Sequence, residues 1–159
     1  ETGADSLKIE GGVEVVPSIK KIIDAGIPVM GHIGLMPQSI NKYGTYALRA
    51  NNEEEASKLR SDAKALEEAG CYAIVIEKVP AVLAAEVAKS VSIPIIGIGA
   101  GSGADGQVLV MHDMLGINMD FSPKFLRRYA NLNQVISEAV VNYINDVKSG
   151  DFPNENEQY

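Results

Sequence analysis

Glu68-Ala69-Gly70-Cys71-Tyr72-Ala73-Ile74-Val75-Ile76-Glu77 holds the plan of the fold. Gly70 stands where a helix stops, since glycine takes the left-handed conformation of a C′ residue at little cost. The run Tyr72 to Glu77 that follows is uniformly apolar until its last residue, a carboxylate. Strands buried on both faces read this way, and they belong to parallel sheets. Upstream, Asn52 caps an amphipathic helix from Glu53 to Ala69, with acidic residues in its first turn and a stripe of Ala56, Leu59, Ala63, Leu66 and Ala69.

The unit repeats faintly. Asp24-Ala25-Gly26-Ile27-Pro28-Val29 echoes Glu68 to Ala73, and Ile93-Pro94 echoes Ile27-Pro28. Val13 to Ala25 has Val15, Val16, Ile19, Ile22 and Ile23 at helical spacing, with Pro17 in the first turn and Gly26 as the stop. Strands are expected at Ser6–Glu10, Ile27–Ile33, Tyr72–Glu77, Ile93–Gly99 and, more briefly, Val108–Met111. Pro80 opens a helix to about Ser90, a helical turn follows near Asp113, and Leu132 to Val147 makes a final amphipathic helix. Strand, crossover helix, strand in alternation means an α/β fold with a parallel sheet.

The polar residues within this pattern gather at the carboxyl ends of the strands. Lys8 and Glu10 close the first, His32 the second, Glu77 the third, a glycine-rich turn the fourth, and His112-Asp113 the fifth. In parallel α/β folds that edge binds ligands. Lys8 and Glu10 are two apart and share a face; Glu77 likewise shares one with Ala73 and Val75, small enough for a crowded barrel interior. Glu10 beside Lys8 suits Mg²⁺ or an anionic substrate. Burial beside Ile74, Val75 and Ile76 would push the Glu77 carboxyl up toward a useful general base. The competing reading of each is an internal ion pair, Lys8 with Glu10, or Glu77 with Lys78 or another barrel residue. A lone strand histidine such as His32 is more often satisfied by a neighbour than a ligand, and His112-Asp113 reads as a helix start with Asp113 as cap.

The 159 residues are enough for one domain with a sizeable core. A net charge of -7 argues against a nucleic-acid surface. The short basic cluster Lys124, Arg127 and Arg128 is expected to be a solvated face. No apolar run is long enough for a membrane span, and no cleavable signal pattern opens the chain. Cys71 is the single cysteine, which excludes an intramolecular disulfide and points to a reducing cytoplasm. The segment from Gly34 to Asn51, with Pro37, Gln38, Ser39, Asn41 and Tyr46, is long for a loop and therefore expected to work. Gly99-Ala100-Gly101-Ser102-Gly103-Ala104 has dinucleotide-loop spacing, but the helix that such a loop requires does not follow cleanly. The opening Glu1-Thr2-Gly3, without an initiator Met, reads as the middle of something longer.

Several stretches together resemble the ketopantoate hydroxymethyltransferase (3-methyl-2-oxobutanoate hydroxymethyltransferase) family. They are Lys8-Ile9-Glu10-Gly11-Gly12, Gly31-His32-Ile33-Gly34-Leu35-Met36-Pro37-Gln38-Ser39, Ile76-Glu77-Lys78-Val79-Pro80 and Ile96-Gly97-Ile98-Gly99-Ala100-Gly101. Asp105 to Val110, His112 to Gly116 and Pro123-Lys124-Phe125 match as well, in order and almost end to end. Met36 stands where the family usually has Thr, and Lys78 where Cys or a small residue is common.

The resemblance implies a (β/α)₈ TIM barrel, of which residues 1–159 would form a single incomplete domain covering about strands 4 to 8 and the C-terminal helices. It implies hydroxymethyl transfer from 5,10-methylenetetrahydrofolate to 3-methyl-2-oxobutanoate, giving 2-dehydropantoate in pantothenate biosynthesis. Mg²⁺ would stabilise the enolate, with Glu10 as a metal ligand, Lys8 holding the oxo acid, Glu77 as general base and His32 lining the same pocket as a second substrate-binding residue. The family assembles as decamers, so a homo-oligomer is expected. The family's earlier strands carry two metal-binding Asp residues that have no counterpart here, so the missing segment is expected on another chain or lost, and the piece alone inactive. The alternatives are another Mg²⁺-dependent oxo-acid barrel of the phosphoenolpyruvate mutase or isocitrate lyase group, whose Cys loop is not found, and an inactive structural fragment.

Overall fold

The computed structural model describes residues 3–159, the side chains of Lys42 and Tyr43 excepted; Glu1 and Thr2, which open the chain, lie outside it. The chain divides into two compact units, residues 3–108 and 109–159.

The first unit holds a parallel sheet of β1 (Leu7–Glu10), β2 (Val29–Gly34), β3 (Ala73–Glu77), β4 (Ile95–Ile98) and β5 (Gly106–Gln107), in spatial order β1-β2-β3-β4-β5. Three crossover helices join the first four: α1 (Val16–Asp24), α3 (Glu53–Glu68) and α4 (Ala81–Ser90), while a short α2 (Ile40–Tyr43) lies in the long loop. The buried core brings Ile19 of α1, Leu59, Ala63 and Leu66 of α3, and Leu83, Ala84 and Val87 of α4 together with Val29, Ile33, Ile74, Ile76 and Ile95. Those strand residues alternate, so all three helices cover one face of the sheet. Strand order that follows chain order, with helices on one face, is the singly wound layout of a (β/α) barrel. A doubly wound sheet reverses its order and carries helices on both faces. The opposite face presents Lys8, Glu10, Met30, His32, Ala73, Val75, Glu77, Ile96 and Ile98 by the same parity. Both outer strands, β1 and β5, have one partner each.

Local chemistry sets the element ends. The Asn52 side chain accepts from the Glu55 amide at 2.9 Å, as an N-cap does. Pro17 sits at the first turn of α1, and Gly26, with φ of +85°, follows its end. Residues 13–15, expected within that helix, form a 3₁₀ turn ahead of it. Ile27 and Pro28 lie outside β2, which starts at Val29; Pro28 has no N–H to give a ladder, and its carbonyl instead accepts from the Leu7 amide at 3.0 Å.

The fifth strand departs from expectation. Pairing involves Gly106 and Gln107 against Ile96 and Gly97, whereas Val108 to Val110 is not a strand and Met111 already begins α5 (Met111–Met114). Asp105 explains the shift: its carboxylate accepts from the Ile95 amide at 2.8 Å, and its own amide donates to the Ile95 carbonyl at 2.9 Å. This two-way clasp brings the chain alongside β4 before the apolar run begins. The glycine-rich loop has a packing role as well. A Cβ on Gly101 would approach that of Ala81 to 2.4 Å, and one on Gly103 would approach that of Ala85 to 2.5 Å. The loop lies against α4 so closely that only hydrogen fits, and Gly101 has a φ of +80°. Gly101→Ala is therefore expected to cost about 1–3 kcal/mol of unfolding free energy by overpacking. Urea denaturation measures it, and an unchanged midpoint would show that the loop can yield.

At the amino end of β4, Glu67 Oε1 accepts from both the amide and the hydroxyl of Ser92, the latter at 2.7 Å, and Oε2 faces Lys64 at 3.2 Å. The Ser92 hydrogen bonds, with Lys64, hold the Glu67 carboxyl down at about 2 against an ordinary 4.5. A depressed folded value stabilises the ionised form, so this contribution is complete above about pH 4.5 and disappears as pH falls toward 2. Glu67→Gln should lower the denaturation midpoint at pH 6 and narrow its gap to the parent as pH falls between these limits. A gap that stays constant down to pH 2.5 would contradict the assignment.

In the second unit, α5 is capped by Val110, and Asp113 lies inside the helix rather than at its cap. Its buried carboxylate accepts from the Asn118 side chain at 3.1 Å and so pins the following turn. α6 (Leu132–Ser149) starts at the cap Asn131 and ends at Gly150, with φ of +79°. Arg128 is no solvated charge: its guanidinium donates to the Phe121 carbonyl at 2.8 Å and to the Ser122 hydroxyl at 3.3 Å, tying the 118–128 loop together. Lys124 and Arg127 are exposed as expected. Among the described residues no helix is long and apolar enough to cross a membrane.

Candidate active site

Glu10, His32 and Glu77 meet at the carboxyl ends of β1, β2 and β3. Register dictates the meeting. Glu10 is paired directly across from His32, which is paired with Val75, and Glu77 is the next residue along β3 on that face. The imidazole of His32 therefore lies between two carboxylates. Nε2 is 3.1 Å from Glu77 Oε2, and Nδ1 is 3.7 Å from Glu10 Oε1. The side chains of Glu10, His32 and Glu77 are 12%, 3% and 15% exposed, so all three are withdrawn from bulk water without being sealed. Neither ring nitrogen is aligned for a hydrogen bond, which leaves two buried polar atoms incompletely satisfied.

Neither Lys8 with Glu10 nor Lys78 with Glu77 pairs; the partner that Glu77 meets is another residue of the sheet face, His32. Lys8 is exposed on the outer strand while Glu10 turns to His32, and Glu10 Oε2 also accepts from the Gln38 amide at 3.0 Å. The Lys78 ammonium donates to the Tyr46 carbonyl, not to Glu77. Lys78 has φ of +49°, a left-handed conformation that is uncommon for a residue with a side chain. That turn directs the Glu77 carbonyl to the Leu35 amide at 2.8 Å and the Lys78 carbonyl to the Arg49 amide at 3.0 Å. The loop between Gly34 and Asn51 is thus stitched to the site at both ends, with Gln38, one turn past its start, as a further tie. Gly34 is required for this: a Cβ there would lie 2.3 Å from the Glu77 carbonyl oxygen. Gln38 stands out in sequence only as a polar residue of the long loop and of the family-like stretch, and nothing there foretells its bond to Glu10 or the Lys78–Tyr46 contact.

His112 and Asp113 do not mark the end of the fifth strand, which finishes at Gln107. On the helix-covered side of the sheet a cavity of about 170 Å³ is lined by Ile33, Leu59, Arg49, Lys58, Glu14 and Asp62 among others, and it contains none of the three rim residues. Its charges satisfy one another: Lys58 Nζ lies 2.6 Å from buried Asp62 and 3.3 Å from Glu14. Partial burial opposes the charge on Lys58, but the hydrogen bond and charge of Asp62 outweigh it and raise the ammonium above its ordinary value. Cys71 is buried, and burial pushes its thiol up, away from nucleophilic use.

As a cation site, Glu10 offers one hard oxygen donor, and among the described residues no three of His, Cys, Asp and Glu gather to hold a metal ion. Mg²⁺ is commonly held by one or two carboxylates, with substrate and water completing its octahedron. Glu10 fits a share of such a shell.

Comparison with known proteins gives the context. The family model for ketopantoate hydroxymethyltransferase matches residues 1–155. The 3-methyl-2-oxobutanoate hydroxymethyltransferase of Phocaeicola vulgatus is 65% identical over 158 residues, covering 99% of this chain and 58% of that protein. Those of Parabacteroides distasonis and Bacteroides thetaiotaomicron are 67% and 64% identical over 159 residues, covering the whole chain and 58% of each relative. Among solved structures, the YdjI aldolase of Escherichia coli K12 has a TM-score of 0.41 and 18% identity over 70% of this chain and 47% of that one. The chain spans 58% of the length of these curated relatives, and within that span it belongs to the ketopantoate hydroxymethyltransferase family.

Proposed function

We propose that this chain contributes the carboxyl-terminal part, with the general base, of an enzyme transferring a hydroxymethyl group from 5,10-methylenetetrahydrofolate to 3-methyl-2-oxobutanoate. The observation that carries the reading is the placement of Glu10 and Glu77 on one sheet face at the ends of β1 and β3, the strands flanking β2, withdrawn from bulk water on either side of His32.

The substrate is a 2-oxo acid whose single C3 hydrogen must leave before a carbon–carbon bond can form there. Glu77, its side chain 15% exposed at the rim, removes that proton. Lys8, exposed on the same face as Glu10, neutralises the substrate carboxylate and the negative charge that grows on the 2-oxo oxygen. Mg²⁺, held in part by Glu10, supplies Lewis-acid polarisation of the 2-oxo group when bound. The loop from Gly34 to Asn51, tied to Glu77, Lys78 and Glu10, holds the rim in place. His32 lines the same pocket. The portion of the relatives' length beyond the matched 58% would complete the barrel and its metal ligands, in a cytoplasmic homo-oligomer.

The test is formation of 2-dehydropantoate from 3-methyl-2-oxobutanoate, Mg²⁺ and methylenetetrahydrofolate. It compares the 159-residue chain with a protein of the relatives' length that contains it. Turnover is expected from the longer protein and not from the chain alone. No product from the longer protein would remove the proposal.

A further inference from the structure

We infer that His32 is a positioning residue: it holds Glu77 in place across from Glu10 and does not itself bind substrate. The inference deepens the proposed reaction and rests on Glu77 as its base.

Burial argues first. His32 is 2% exposed, less than either carboxylate, so a ligand reaching the rim meets Glu10 and Glu77 before the ring. Its backbone is immobilised as well. β2 is paired on both sides, and the His32 carbonyl accepts from the Gly11 amide at 3.0 Å. The ring therefore projects from the most constrained part of the rim. The chemistry of its neighbours argues second. Two carboxylates at one rim repel each other, and a group between them that can donate a hydrogen bond offsets that repulsion. A neutral imidazole carries one N–H, so it can serve only one of the two oxygens. Nε2, 3.1 Å from Glu77, lies nearer a carboxylate than Nδ1, 3.7 Å from Glu10, so the positioning contact is assigned to Nε2 as a close polar contact rather than a formed hydrogen bond. Among the described residues no hydrogen bond satisfies either nitrogen, and the two carboxylates are the polar groups nearest to them. A side chain needed only to fill space here would be apolar, like Val75 beside it.

Glutamine and asparagine separate the two nitrogens. The Gln amide nitrogen can take the place of Nε2, and the Asn amide nitrogen that of Nδ1. In a protein of the relatives' length, His32→Ala should lower kcat by about 10- to 100-fold, the range for removing a group that orients a working side chain. KM for the oxo acid should stay within about threefold, since uniform substrate binding is not what is lost. His32→Gln should recover most of kcat, and His32→Asn should not. Should His32→Ala fail to fold, Gln against Asn carries the comparison, with thermal unfolding confirming that both are native. A rise in KM at unchanged kcat would make His32 a substrate ligand and overturn the inference. So would Gln performing no better than Asn while Glu77→Gln, assayed alongside, is inactive. A fully active Glu77→Gln would overturn the base assignment and this inference with it.

Discussion

Glu77→Gln, in a protein of the relatives' length, is expected to lower kcat for 2-dehydropantoate formation by about 100- to 10,000-fold, the usual contribution of a positioned general base. The substitution keeps the shape of the side chain and an oxygen beside His32 Nε2, now 3.1 Å from the carboxylate, but removes the basic carboxylate. KM should change little, because the proton is taken in the transition state rather than on binding. The alternative role for Glu77 is an ion pair with His32. In that case the loss would appear in the unfolding free energy and leave turnover within a few-fold of the parent. Steady-state kinetics and urea denaturation on the same preparation distinguish the two.

Glu10→Ala is the second large effect. Removing partners that merely orient metal ligands already costs about 10- to 100-fold, so loss of a ligand should lower turnover at limiting Mg²⁺ by at least about 100-fold. Raising Mg²⁺ should restore part of it. Glu10 has a second attachment, since its Oε2 accepts from the Gln38 amide of the long loop. The variant should therefore also make the 34–51 segment easier to cleave with protease. Turnover that falls equally at all Mg²⁺ concentrations would place Glu10 in the loop's anchorage alone.

Much of this architecture is legible in the chain. β2 and β3 announce themselves as apolar runs behind the helix-stopping Gly26 and Gly70, β4 as an apolar run about Pro94, and the parity of Ala73, Val75 and Glu77 correctly puts Glu77 on the face away from the helices. Where the residues mislead, a longer-range contact wins. Val108-Leu109-Val110 has the composition of a strand, yet Asp105 clasps Ile95 and pairing is finished at Gln107, before that run begins. Lys8 and Glu10 read as partners by spacing, but register puts Glu10 opposite His32, a group 22 positions away. No local pattern encodes that. The glycines at 101 and 103 mimic a phosphate loop because close approach to α4 demands the same absence of a side chain.

Exchange of the C3 hydrogen of 3-methyl-2-oxobutanoate with deuterated water, followed by proton NMR in the absence of folate, isolates proton removal from carbon transfer. With Mg²⁺ and a protein of the relatives' length, the C3 signal should vanish during incubation. Glu77→Gln should preserve it for at least about 100 times as long. Equal exchange by the parent and Glu77→Gln would mean that the proton leaves by another route and that the rim formed by Glu10, His32 and Glu77 is not where this chemistry begins.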